Sequence, residues 1–379
     1  MPTNDDQPPG AAVTSRWGRR ITVGLAMVAT AGLAGGVLAA CSTPSPAAHT
    51  APASQRTSRT AQPGASQPPT GSPLDAAVAT SATAADAGLP SFFVIASQGD
   101  PNGLQVRSSA TGKLISSVTS PGPCMPATYQ VAAAGNDRDF VFSCLSLTSR
   151  RNIFYQLRVS SRGATAGLTS LPIPPISSTF VTGLAVTPDG REVAIGLKNN
   201  TTGNATIELV TPATGAIRTW TAHMDRPTLL SWADNGRELG FWAWGLRVLD
   251  VGAAGHNLAS ARLILSIFHK SDLVQNAMLS PDGATIIADV SYQLPRGTRP
   301  TPSTVVGGIA EVAAGTGKTT RLFIAQHVQG NSTFPCQLGA IDATGHHVLA
   351  GCTQFDRVDR GRVTALPGND IQAAFSGAW

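Results

Sequence analysis

The chain has 379 residues, 42% of them hydrophobic and 13% charged, with a formal net charge of +5. Length and apolar content suffice for a sizeable core and exclude a wholly disordered chain. The charge is modest and no dense basic run is interleaved with aromatics, which excludes a dedicated nucleic-acid binder.

Arg16, Arg19 and Arg20 precede an uncharged run from Ile21 to Leu38, which ends in Leu38-Ala39-Ala40-Cys41. A basic segment, an apolar segment and small residues before a cysteine are the pattern of a bacterial lipoprotein signal peptide over residues 1–40, with Cys41 carrying the acyl chains after cleavage. The alternative is an uncleaved spanning helix, for which the run is just long enough. An acyl anchor of the palmitate type tethers without spanning, so the expected location is the extracytoplasmic face of the cell membrane. Arg19-Arg20 suggests twin-arginine export, but Thr22 and Val23 follow it poorly and ordinary secretion fits better. Without the leader's three Arg and two Asp the balance falls to +4.

Residues 41–88 hold the lipidated cysteine and then Ser, Thr, Ala, Pro, Gln and Gly with almost no large apolar side chain. Such a composition cannot bury enough surface to fold and reads as a tether.

From Phe92 onward short apolar runs alternate with Gly, Pro, Asn, Asp and Ser, so residues 89–379 form the folded domain. The runs are too short for helices, and many are apolar at successive positions, as in strands covered on both faces. One turn recurs between them: Thr187-Pro188-Asp189-Gly190, Ser280-Pro281-Asp282-Gly283, and the looser Ala233-Asp234-Asn235-Gly236 and Asp342-Ala343-Thr344-Gly345. Proline presets φ, aspartate bonds the backbone two residues on, and glycine accepts the left-handed conformation that closes a hairpin. The corner glycines are 46, 47 and 62 residues apart. A period near 45 with strands on both sides predicts an all-β β-propeller, of six four-stranded blades or alternatively seven.

In that reading blade two spans residues 129–171, blade three 180–220, blade four 228–267 and blade five 274–324, with a Pro- and Gly-rich insertion at 291–304 stretching the last interval. Blade six takes 337–341, 347–352 and 362–366. Blade one has only 92–96, 104–108 and 114–118, and lacks an inner strand. The spare segment 371–379 either completes it, closing the ring with strands from both termini, or forms the outer strand of blade six.

The repeated strand–Ser/Thr-Pro-Asp-Gly–strand unit, with Ala-Thr-Gly at 110–112 and 213–215, resembles the TolB-like or WD-repeat-like propellers of exported bacterial proteins. Lipobox, tether and Pro-Cys hairpins are similar to actinobacterial propeller lipoproteins, a group that implies no common activity. No Trp-Asp dipeptide ends a third strand and no Gly-His precedes an inner one, so partner rules of true WD repeats do not transfer.

Cys124, Cys144, Cys336 and Cys352 remain after Cys41 is assigned. An even number in an exported chain reads as disulfides. Each of the pairs Cys124–Cys144 and Cys336–Cys352 spans one hairpin, and each bridge is expected to contribute about 3 kcal/mol by loop entropy. No Cys-x-x-Cys or His-x-x-x-His spacing marks a metal site, and no motif calls for a cofactor. Gly315-Thr316-Gly317-Lys318-Thr319 ends like a phosphate loop, but Val312 stands where that loop needs glycine, so the string reads as a hairpin turn.

Loops joining one blade to the next open on a single face, and three of them carry His223, His269 and His327, with Asp225 and Asp272 beside the first two. Together they form a candidate ligand face, able to hold a metal or do acid/base work, or simply to bond their own backbone. The second loops of the blades read as basic on the same face, through Arg150, Arg151, Lys198, Arg296, Arg299, Arg357 and Arg360, partly offset by Asp356 and Asp359. This favours a protein or an anionic cell-envelope ligand as partner. His346 and His347 are expected to be exposed at a corner on the opposite face. Inner strands rich in Ala, Gly, Leu and Val point to a non-catalytic binding or scaffold module. The alternative, a lactonase-like or glycan-acting hydrolase, needs a carboxylate pair aimed into the channel.

Overall fold

A computed structural model of the chain describes residues 88–97, 103–120, 122, 124–177, 180–269, 272–293, 305–328, 337–351, 355–359, 362–366 and 377–379. All of them belong to the compact unit Gln67–Trp379. The leader, Cys41, Cys336, Cys352, Arg296, Arg299 and Arg360 lie outside the described residues.

In chain order, β1 (Phe92–Ser97), β2 (Gly103–Ser108) and β3 (Leu114–Thr119) come first. Blade two follows with β4 (Cys124–Ala133), β5 (Asp139–Ser146), β6 (Arg151–Val159), β7 (Thr165–Ser170) and a short β8 (Ile176–Ser177) beside β6. Blade three is β9 (Phe180–Val186), β10 (Val193–Lys198), β11 (Asn204–Thr211) and β12 (Ala216–His223). Blade four is β13 (Thr228–Trp232), β14 (Glu238–Trp242), β15 (Gly245–Asp250) and β16 (Arg262–Ser266). Blade five carries a two-residue β17 (Phe268–His269) ahead of β18 (Asp272–Leu279), β19 (Thr285–Gln293), β20 (Val305–Ala313) and β21 (Thr319–Val328). Blade six is β22 (Gln337–Ile341), β23 (His347–Gly351), β24 (Phe355–Asp359) and β25 (Arg362–Leu366). Last comes β26 (Gly377–Ala378).

β26 pairs antiparallel with Val94 and Ile95 and gives blade one the order β26-β1-β2-β3. Its inner strand therefore comes from the far end of the chain. The inner strands touch in a closed circuit, β26 to β4, β9, β13, β18, β22 and back to β26, so the molecule is a six-bladed β-propeller. Residues 367–376, which include the start of the segment expected to close the ring, lie outside the described residues.

Six apolar clusters hold the ring, one between each pair of neighbouring blades. This explains the unbroken apolar runs. In β10, Val193, Ala194, Ile195 and Leu197 are all buried, because Ala194 faces blade four while Val193, Ile195 and Leu197 face blade two. Each large side chain so covered contributes roughly 1.5–3 kcal/mol over leaving it in water.

The recurring turn behaves as its residues demand. Gly190, Gly236, Gly283 and Gly345 have φ of 73°, 61°, 67° and 72°, and each amide donates to the carbonyl three residues back. A fifth copy at Ala134-Gly135-Asn136-Asp137 is hidden in the sequence, because Asp137 takes the left-handed position at φ 61°. Its identity is clear from the bonding. Asn136 Oδ1 accepts from the amides of Arg138 and Asp139 at 3.0 and 2.8 Å, as Asp282 Oδ1 does from Ala284 and Thr285 at 2.9 and 3.0 Å. Gly317-Lys318 lies in the turn between β20 and β21, a hairpin as expected.

Blade six departs from the expectation. Its third strand is Phe355–Asp359, and Arg362–Leu366 is the fourth. The charges of Asp356, Arg357 and Asp359 disguised this strand as a loop. They are tolerated because Asp359 accepts from Arg357 Nε at 2.7 Å and meets His347 Nδ1 at 2.8 Å. The Cys124–Cys144 disulfide is present, with Cα atoms 5.6 Å apart and both residues buried.

Candidate functional site

Antiparallel blades give the ring two faces. The five corners form a lower face. The tips between second and third strands, with the connections between blades, form an upper face. Each inner strand from β4 to β22 shifts register partway, at Met125/Gln130, opposite Gly196/Leu197, at Thr228/Ser231, at Val274/Asn276 and at Leu338/Ala340. Bulges of this kind re-aim side chains at a rim and bend the strand. Nothing in the hydrophobic pattern announced them.

On the upper face His223 ends β12, exposed, with its ring against Gly203; a β-carbon at 203 would come within 2.6 Å of it. Asp225 is half-buried in the following connection. His269 pairs with Asp272 across the β17–β18 hairpin, and His327 pairs with Val306 at the upper end of β21. The side chains of His269, Asp272 and His327 lie outside the described residues. The three histidine positions thus belong to separate elements, and no group of three His, Cys, Asp or Glu is arranged for a metal among the described residues.

Lys198 is committed to structure, its Nζ donating to the carbonyls of Gly203 and Met224 at 2.9 and 2.6 Å. Arg150, Arg151 and Arg226 are exposed, and their side chains have no partner among the described residues. Arg357 is not an upper-loop residue. It sits low in β24, and its Nη1 donates to the Ser109 carbonyl of blade one.

The inner strands enclose a channel cavity of about 160 Å³ near the lower face, walled by side chains such as Val131, Leu184, Leu230, Met278, Ala340 and Trp379. Its carboxylates are Asp234 and Asp342, both on corners. Asp342 is buried and spends both oxygens on its own turn. Oδ1 accepts from the amides of His346 and His347 at 3.0 Å each, and Oδ2 from the Thr344 hydroxyl at 2.6 Å. Burial, and then the neighbouring Asp282, raise the Asp234 carboxyl above its usual range. Burial, then Asp342, raise Asp137 likewise, against the Ser91 amide, Arg138 and His347. Hydrolysis by paired carboxyls needs two that converge on one bond with oxygens to spare. Asp342 has both of its oxygens held within its own turn, and Asp234 stands on a different corner.

His347, expected at the surface, is buried. Its ring lies 6.2 Å from that of Trp379, which stands 5.9 Å from Phe93. His347, Asp359, Arg357 and Trp379 thus knit the seam where blade six meets blade one.

Asp289, in the middle of β19, is fully buried, and its carboxylate has no well-formed hydrogen bond, with the Asn276 amide its polar neighbour across the strand pair. Burial pushes its carboxyl up to about 7, and the Asn276 amide opposite pulls it back only in part. An aspartate inside the apolar run 286–290 was the signal for it.

No family model matches the chain, and no curated protein does. Among solved structures it is similar to TolB from Acinetobacter baumannii, at 16% identity and a TM-score of 0.48 over 76% of this chain and 65% of that one. It therefore spans just under two thirds of that protein. It is also similar to a putative 6-phosphogluconolactonase from Bacteroides uniformis, at 11% identity and TM-score 0.38 over 76% of this chain and 98% of that one. A third is prolyl oligopeptidase B from Galerina marginata, at 10% identity and TM-score 0.40 over 73% and 40% of the two chains. A shared ring does not carry an activity from one protein to another.

Proposed function

We propose that this chain is a lipid-anchored propeller on the extracytoplasmic face of the cell membrane, acting as a non-catalytic binding module at the cell envelope through its upper face. The observation that carries this reading is the channel: a lining mostly of apolar residues whose two carboxylates stand on separate corners, with both oxygens of buried Asp342 bonded within its own turn. Support for the address comes from the Leu38-Ala39-Ala40-Cys41 lipobox behind its basic and apolar segments, and from a buried disulfide, which suits an oxidising compartment. Support for the upper face comes from Arg150, Arg151 and Arg226, exposed and without side-chain partners among the described residues.

Metabolic labelling with palmitate tests the anchor. Label is expected on the wild-type chain and absent after Cys41→Ala, which should accumulate as the longer precursor. A Cys41→Ala product that stays in the membrane fraction at mature size would show that the lipoprotein reading is wrong.

A further inference from the structure

Three large apolar side chains stand out on the upper face, each at the tip of a different blade. Leu147, 50% exposed, lies in the turn between β5 and β6; Phe180, 44% exposed, opens β9; Trp244, 65% exposed, caps the turn between β14 and β15. Blades two, three and four are consecutive, so the tips form an arc. The cations Arg150, Arg151 and Arg226 lie along the same arc, exposed and unpartnered among the described residues, with half-buried Asp225 the acidic group beside them.

Trp244 is held at φ 54°. A bulky residue in the left-handed region is an outlier that its surroundings must maintain, and here the indole touches too little protein to explain its place. Glycine would serve the turn better.

We infer that this arc docks on an anionic phospholipid surface. The inference deepens the envelope-module reading by naming the chemistry its upper face takes. Single apolar tips separated by polar backbone do not make the contiguous apolar centre that a stable protein partner needs. They do suit a fluid interface, where indole and phenyl rings settle at headgroup depth and arginines meet phosphates. Three tips and three cations make a weak attachment, sufficient to orient a domain already held near the membrane.

The compact unit Gln67–Trp379, whose six clusters close among themselves, is the protein to test. It should sediment at low salt with vesicles of equal parts phosphatidylglycerol and phosphatidylcholine, and not with phosphatidylcholine alone. Trp244→Gly should keep or raise the melting temperature while weakening sedimentation at least about tenfold, and Arg150→Glu with Arg151→Glu and Arg226→Glu should do the same at unchanged melting temperature. Failure to sediment with the anionic vesicles, or sedimentation that both variants retain, would overturn the inference. In either case the face passes to an acidic protein partner, and the lipid-anchored reading, tested separately by palmitate labelling, is not affected.

Discussion

The two faces of this ring differ in how much of their charge is paired. At the lower face Arg158 meets Asp139, Arg191 meets Asp189, Arg218 meets Glu192, Arg237 meets Asp250 and Arg262 meets Glu238, while Arg357 and His347 share Asp359. At the upper face Arg150, Arg151 and Arg226 are exposed and have no side-chain partner among the described residues, as is also true of Lys113, Arg138, Arg162 and Lys318 below, while the upper Lys198 bonds two carbonyls. Paired charges at strand ends fix corners and seams, whereas lone ones cost the fold little and stay available. The lesson is that the paired charges below the ring belong to its architecture, while the arc of three unpartnered arginines makes the upper face the place to seek a binding role.

The sharpest way to break that contrast is at the seam. Trp379→Ala removes a buried indole packed on Phe93 and His347 and should lower unfolding free energy by about 3–5 kcal/mol in denaturant titration. A loss near zero would mean that the lower closure does not hold the ring.

Next in size is Asp289, which belongs to neither face. Its carboxyl is raised to about 7 in the folded chain, while in the unfolded chain it ionises near its ordinary value. The folded state therefore holds the proton more tightly, and stability falls as pH climbs through that interval, then levels off above it. Asp289→Asn should remove this slope. The variant should gain roughly 1–3 kcal/mol at pH 8 and nothing at about pH 4, an unpaired amide still costing something. Parallel thermal melts across pH would check it, and an unchanged slope would place the titration elsewhere.

Smallest of all should be Arg150→Ser with Arg151→Ser. On an upper face free of structural duty this double change should shift stability by less than about 0.5 kcal/mol, measured on the same titration. A larger loss would show that these cations have folding partners after all.

Much of the ring was legible because its corners repeat a turn whose chemistry leaves little choice, and because blades covered on both sides write unbroken apolar runs. The Cys124–Cys144 pair followed from two cysteines on adjacent strands of one hairpin. The fifth corner was not legible, since Asp137 holds a left-handed position by side-chain bonding and context where glycine is the usual signal. β24 was missed because its charges are satisfied by pairing that a sequence does not display, Asp359 with Arg357 and His347 and Arg357 with the Ser109 carbonyl, and buried His347 for the same reason. The histidines of the upper face show the converse limit. Spacing along a blade repeat fixes the height and the blade of each histidine, as expected, and says nothing of whether the side chains converge.

One consequence of the closure concerns time. During synthesis Val94 and Ile95 emerge well before the strand they pair with, Gly377–Ala378, which lies more than 280 residues further along the chain. Until then blade one shows an open edge, and the ring has no way to shut. The bridge between Cys124 and Cys144 needs only its own hairpin and can form long before. A chain growing from its amino end would therefore gain its covalent link first and its circular shape only once Gly377–Ala378 have followed.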